Sequence, residues 1–277
     1  MPNSLKVSNK VVHDRQVRRA AVCSVLFALI SLAVAASTEA MPTTASVQAK
    51  LVPIPVNPDA SKSPAYPGTG NILGAGAAFE GELEIQGDEY GGFPPPLTGF
   101  SIYVPHGVKL HQQGFPICPQ AILESHEVAN CPKGSQLTSV GSVSGVVSFG
   151  GDRVHETLTV QGFFAAGGRI AYYAEGTSPA LVEVLGSGAF IPANGGFASK
   201  FSASVPLVAT VPEAPYAVVQ SVRVRVGAAY RRGSRLVPFM TLPRHCAKGG
   251  MADRLELTFL TGPPVQVNIT MPCPARH

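Results

Sequence analysis

Glu80, Glu82 and Glu84 fall on alternate residues between Phe79 and Ile85. On an extended strand that spacing sets neighbours roughly 6.6 Å apart on one face. It is the separation at which an inverting glycosidase activates water between two acids. Such pairs sit in clefts walled by aromatic side chains, and this chain has no Trp. Arg223 and Arg225 form a second alternating row, of opposite charge. The plainer reading makes both rows solvated strand faces. If the two strands are neighbours, the rows form cross-strand ion pairs worth about a few tenths of a kcal/mol each.

The other reactive types assemble nothing stronger. Gly141-Ser142-Val143-Ser144-Gly145 places Val where a G-x-S-x-G elbow needs its nucleophile. His106, His111, His126, His155 and His245 contain no i, i+4 pair of the kind that holds zinc in a protease helix. His106 and His111 flank a strand end and are the pair that His245 would have to join, but all five fit ordinary surface histidines. Gly68-Thr69-Gly70 and Gly74-Ala75-Gly76 neither follow a strand nor open a helix, as a phosphate loop must. The sequence therefore assigns no catalytic residue, no metal ligand and no cofactor. Aromatic contact sites remain. Tyr90 and Phe93 lie in a loop with Pro94-Pro95-Pro96. Tyr172 and Tyr173 are adjacent and face opposite sides of a strand, one toward the core and one toward solvent. These four are the candidate binding residues.

Cysteine chemistry is better supported, and it depends on compartment. Residues 1–40 read as an export signal. Lys6, Lys10, Arg15, Arg18 and Arg19 precede the apolar run Ala20–Ala36, and small residues come next at Ala33-Val34-Ala35 and Thr38-Glu39-Ala40. An uncleaved run would act as an amino-terminal membrane anchor, although it is short for a span. Arg18-Arg19 hints at twin-arginine export, and Ala20-Ala21-Val22 behind it fits that signal poorly. Downstream lie Cys118, Cys131, Cys246 and Cys273, none in the close pairs that zinc modules use. Outside the cytoplasm these become disulfides. Four cysteines permit three pairings and spacing alone does not choose. The local pairs Cys118–Cys131 and Cys246–Cys273 are favoured, the first closing a loop around a helix and the second fastening the last strand.

The run Phe115-Pro116-Ile117-Cys118, then Asn130-Cys131-Pro132-Lys133-Gly134-Ser135, then Val140-Gly141-Ser142, resembles a motif in a family of uncharacterised secreted bacterial proteins. Those carry F-P-x-C … C-P-K-G-S … V-G-x-G and two more cysteines near the end. Leu242-Pro243-Arg244-His245-Cys246 and Cys273-Pro274 are similar to that ending. The stretch Val140-Gly141-Ser142-Val143 lacks the second glycine of the pattern. The resemblance covers about residues 75–275. It implies a secreted all-β domain with two disulfides and implies no activity.

The elements that must position these residues have a period of two. Phe79–Ile85, Phe197–Val205, Val222–Val226, Leu255–Phe259 and Val265–Met271 alternate apolar with polar residues, the pattern of strands with one wet face. Further strands are predicted over Gly99–Val104, Leu137–Phe149, Val154–Phe164, Arg169–Glu175 and Leu181–Ile191. Gly150-Gly151-Asp152, Gly167-Gly168 and Asn194-Gly195-Gly196 punctuate them. One short helix is predicted from Gln120 to near Asn130, with Pro119 at its start. Residues 41–73, interrupted by six prolines, read as a tether. Residues 74–277 then form an all-β antiparallel sandwich, jelly-roll-like or Ig-like, of about ten strands.

The leader carries five of the 21 basic residues and two of the 17 acidic ones, which leaves 16 against 15. So balanced a chain gives no reason to expect a nucleic-acid partner. The expected function is a secreted or cell-surface, envelope-associated module, non-enzymatic, that binds an unspecified extracellular ligand or plays a structural part. The alternative is a secreted hydrolase of wall or extracellular polymer using Glu82 and Glu84.

Overall fold

Alternation wets one side of a strand and demands cover for the other, so strands of this kind must enclose an interior together. The computed structural model describes residues 40–276 apart from 61 and 150, and the compact body is Met41–His277. The proposed export signal lies outside the described residues. In chain order the elements are β1 (Thr44–Val52), β2 (Ala78–Gln86), β3 (Leu97–Pro105), β4 (Lys109–Leu110), α1 (Gln120–Glu124), β5 (Gly141–Phe149), β6 (Asp152–Ala165), β7 (Arg169–Gly176) and β8 (Val182–Pro192). They continue with β9 (Phe197–Ser204), β10 (Val218–Val226), β11 (Ala229–Arg232), β12 (Arg235–Pro238), β13 (Met240–Thr241), β14 (Met251–Phe259) and β15 (Val265–Met271).

The all-β antiparallel class is as expected. Eleven strands form one sheet in the order β1-β2-β10-β5-β6-β7-β8-β9-β3-β14-β15, and β4 with β13 and β11 with β12 make two small ribbons. The sheet curls until its margins β1 and β15 come side by side, so the two facing walls are halves of one nearly closed sheet. Every ladder in it is antiparallel. With an odd number of strands, β1 and β15 therefore run in the same direction, and an antiparallel ladder cannot close the seam. Among the described residues no ladder joins them. The connection between β1 and β2 is tied to the segment after β15, where Leu73 N–H donates to Ala275 O (2.9 Å) and Ala275 N–H donates to Asn71 O (3.1 Å).

Antiparallel alternation sends every connection to one of two ends. One end holds both disulfides, Cys118–Cys131 and Cys246–Cys273, the local pairs favoured among the three possible pairings. The small ribbons and the connections from β3 to β5 and from β10 to β14 lie there too. The other end carries the loops after β2, β5, β7, β9 and β14.

Two expectations need correction. Residues 41–73 are not a tether throughout: Thr44–Val52 is β1, paired over its whole length with β2, from Thr44↔Gln86 to Val52↔Ala78. Its prolines, Pro42 and Pro53, flank the strand and so remove no ladder bond. The helix is one turn and a half rather than a run to Asn130. It ends at Glu124, His126 adopts φ 61°, and a separate 3-10 turn covers Val128–Asn130. Pro119 caps the helix from outside instead of occupying its first turn.

Candidate functional site

The interior is built by strand parity. On β2 the inward positions are Phe79, Gly81 and Leu83; on β10, Val222, Val224 and Val226; on β3, Phe100, Ile102 and Val104. Cross-strand pairing sets these in tiers. Val222 lies opposite Leu83 and Val143, and Leu255 opposite Ile102, which lies opposite Phe201. About eight strands make a barrel that side chains can just fill, and a wider one leaves space inside. Eleven strands enclose more than their inward side chains fill. A cavity of ≈ 380 Å³ results, walled by Val, Leu, Ile, Phe and Met. The outer wall is polar, so the sidedness is the reverse of a membrane-spanning barrel, which faces lipid with its apolar residues.

One end of the cavity is plugged by aromatic rings. Phe115 stacks on Phe164 at 4.3 Å between ring centres and meets Tyr230 edge-on at 4.8 Å. Phe239 bridges from Phe164 (5.6 Å) to Phe190 (5.9 Å), which touches Phe201 (5.0 Å). Phe201 continues to Phe100, and Phe100 to Tyr172. The chain of rings thus runs from the stapled end into the cavity wall.

Of the predicted binding residues, Tyr172 belongs to this wall. Its ring lies across Gly186, where any Cβ would overlap it, and its hydroxyl donates to the Ser204 carbonyl. Burial holds the phenol well above its ordinary pKa. Tyr173 does point outward but is not exposed. The Cys118–Cys131 segment covers it, with Leu123, Phe163 and Ala171 around it. Its hydroxyl donates to Glu183 Oε1 (2.9 Å), and burial first, then that carboxylate, raises its pKa. The expectation that one tyrosine faces solvent fails because a disulfide-held loop caps the outer face. Tyr90 and Phe93 meet at the loop end around the Arg153 guanidinium, at 5.3 and 4.9 Å from the ring centres. The Tyr90 hydroxyl also accepts from Tyr216 N–H (3.1 Å). These two are brought together, but away from the interior.

The glutamate row is on the outer wall. Arg223 lies opposite Glu82 and Arg225 opposite Glu80 in the β2–β10 ladder, and both pairs are ion pairs. Lys50 on β1 adds a third contact, 2.8 Å from Glu80. The Lys50 hydrogen bond, with Arg225 behind it and some burial against it, holds the Glu80 carboxyl below its usual range. The partners of Glu80 and Glu82 are basic side chains on the neighbouring strands, in keeping with the plainer reading. Ser142 and Ser144 lie within β5, where Gly141 and Gly145 allow the β10 backbone to approach closely. Among the described residues no three His, Cys, Asp or Glu side chains gather as metal ligands would.

Sequence reasoning missed the two acids of the interior, Asp253 and Glu156, both buried and both on the cavity wall. Their signal was legible. Counting back by twos from Leu257 and Leu255 reaches Asp253, and from Val160 and Leu158 reaches Glu156, so each acid falls on the apolar parity of its strand. Glu156 Oε2 accepts from Ala180 N–H (3.1 Å). Its Oε1 is sealed without a partner among the described residues. Asp253 makes no hydrogen bond or ion pair among the described residues, and burial pushes its carboxyl up to about 7.

No protein-family model, curated protein or solved structure matches this chain. The interior is therefore the feature that speaks to function.

Proposed function

We propose that this chain is a non-enzymatic binding module that works outside the cytoplasm and carries an apolar, lipid-like molecule within its curled sheet. The single observation behind this reading is the apolar cavity of ≈ 380 Å³. That volume falls within the range of about 300–1,000 Å³ usual for small-molecule sites. A large apolar void stays dry and takes apolar molecules, and each methylene buried there contributes about 0.8 kcal/mol. The two disulfides support an oxidising compartment, and the basic leader with its apolar run supports export. Association with the cell envelope would place the cavity beside a supply of lipid.

The test is direct. The full chain should enhance the fluorescence of diphenylhexatriene, a neutral apolar probe, saturably and near one probe per chain. Solvent extraction of the purified protein should release an apolar molecule seen by mass spectrometry. Absence of both would overturn the reading. Mass spectrometry of the exported, non-reduced protein should give an amino terminus near residue 41 and no titratable thiol, and an intact leader on a reduced cytoplasmic chain would remove the compartment.

A further inference from the structure

We propose that the occupant is an amphiphile whose polar end donates a hydrogen bond, a long-chain alcohol or amine, and that the Asp253 carboxyl inside the cavity is its acceptor. The inference rests on the carrier reading and goes on to name the ligand's chemistry.

Asp253 shares the inward face of β14 with Met251 and Leu255, and it pairs with Ile269 on β15. Arg254 lies opposite Tyr103 in the β3 ladder, so one step along Asp253 comes level with Val104. Its surroundings on three strands are thus apolar. The nearest cation in sequence, Arg254, has the opposite parity. Its guanidinium lies over the rings of Tyr103 (5.5 Å) and Phe197 (5.2 Å), and it donates to Asn268 Oδ1 (3.2 Å) on the outer wall. Asp253 is 8% exposed, and it lines the cavity.

The cavity's other polar groups are engaged or of the outer parity: Glu82 pairs with Arg223, and Gln161 alternates with the inward Val160 and Gly162. The Tyr172 hydroxyl is used on Ser204. The Thr138 hydroxyl accepts from Gly162 N–H (2.7 Å). Glu156 is held by Ala180 at one oxygen and closed off at the other, with the Gly176 backbone against it. Asp253 is the carboxyl left with both oxygens available to a ligand. An unpaired acid in an apolar enclosure is costly, and a ligand hydroxyl or ammonium removes that cost. Above about pH 7, where Asp253 is ionised, a carboxylate or phosphate head would instead meet a like charge. The plug of Phe164, Phe239 and Phe190 stands on the same side as the tier beyond Leu255, Ile102 and Phe201, so the head group lies toward the stapled end and the tail toward the loops.

The experiment displaces diphenylhexatriene from the full chain with hexadecanol, hexadecylamine, hexadecane and palmitate. Wild type should prefer the alcohol and the amine over hexadecane and palmitate by roughly tenfold or more, the worth of one well-made buried hydrogen bond. Asp253→Leu should lose that preference and keep hexadecane binding, which also reports that the variant folds. Asp253→Asn should keep the alcohol and lose the amine. Equal displacement by all four in wild type, or an unchanged preference in Asp253→Leu, overturns the proposal and leaves the carrier reading standing. Failure of wild type to take up the probe or hexadecane overturns both.

Discussion

The two ends of the curled sheet are built differently. At one, Phe115, Phe164, Phe190 and Phe239 pack ring on ring, two disulfides fasten the connections, and four short strands pair over the opening. At the other, single loops carry exposed Phe149, Leu181, Leu207, Val211 and Leu260. Both ends hold aromatic and aliphatic side chains, and the stapled one too exposes Val56, Ile117, Val140 and Ile191, so neither composition nor exposure alone separates them; the buried ring stack and the disulfides do. Rings at the stapled end displace water from each other, whereas those loop residues remain half open to it. Covalent and aromatic stabilisation is thus concentrated where the cavity is shut. The loop end and the unladdered β1–β15 seam are left as the easier places to open.

The strongest way to break this contrast is to remove a ring at each end. Phe164→Ala should cost about 3–5 kcal/mol, the usual loss on deleting a buried aromatic side chain. Phe149→Ala, at a position 50% exposed, should stay within about 0.5 kcal/mol. Urea unfolding of the two variants measures both, and similar losses would erase the distinction between the ends.

Asp253 gives an effect of similar size on the pH axis. Its folded pKa of about 7 stands above the ordinary aspartate value of 3.8. The folded state therefore binds the proton more tightly. That stability is fully present below about pH 4 and lost as pH rises through about 7, a change on the order of 4 kcal/mol by linkage. The other titratable groups along the cavity wall are Glu156, Tyr172 and Glu82, the last ion-paired to Arg223, and Arg254, Lys200 and Glu256 on the surrounding strands belong to the outer parity. Asp253→Asn should flatten the profile of urea midpoint against pH between about 4 and 8. A profile as steep as wild type would show that the slope arises elsewhere.

Replacing Cys118 and Cys131 by Ala should cost about 3 kcal/mol, from the loop of separation 13 that the bridge closes. It should also uncover Tyr173, which quenching by acrylamide would detect. The smallest effect belongs to the outer wall. Arg225→Ala removes a partly exposed ion pair to Glu80 and should cost about 1 kcal/mol or less, falling further in high salt. A larger loss there would mean that the polar wall, and not the interior, holds β2 to β10.

Much of the wall is legible in the sequence because parity is local. The alternation over Phe79–Ile85 and Val222–Val226 locates β2 and β10 and implies their ion pairs once adjacency is granted. β1 looks like tether because Ala45 and Ala49 make a weak apolar stripe and prolines crowd its ends. The cover over Tyr173 is invisible in its own strand, because the loop that hides it is held by a bond between residues 118 and 131. Asp253 and Glu156 are reached by extending the apolar stripes one more step. Their surroundings are not, since the residues that isolate Asp253 come from β3 and β15.

Residue order alone determined which side of each strand is apolar and where the turns fall, because both are set within a few residues by backbone geometry; which cysteines bridge, among three possible pairings, was left to the fold. The tertiary structure decided that the strands number eleven in one sheet, that the margins meet in parallel, and that the enclosed space exceeds what the inward side chains fill. Those depend on long-range pairing, in which some strand neighbours lie 160 residues apart, as Thr98 and Thr258 do, and a cavity is a property of the closed circuit rather than of any segment in it.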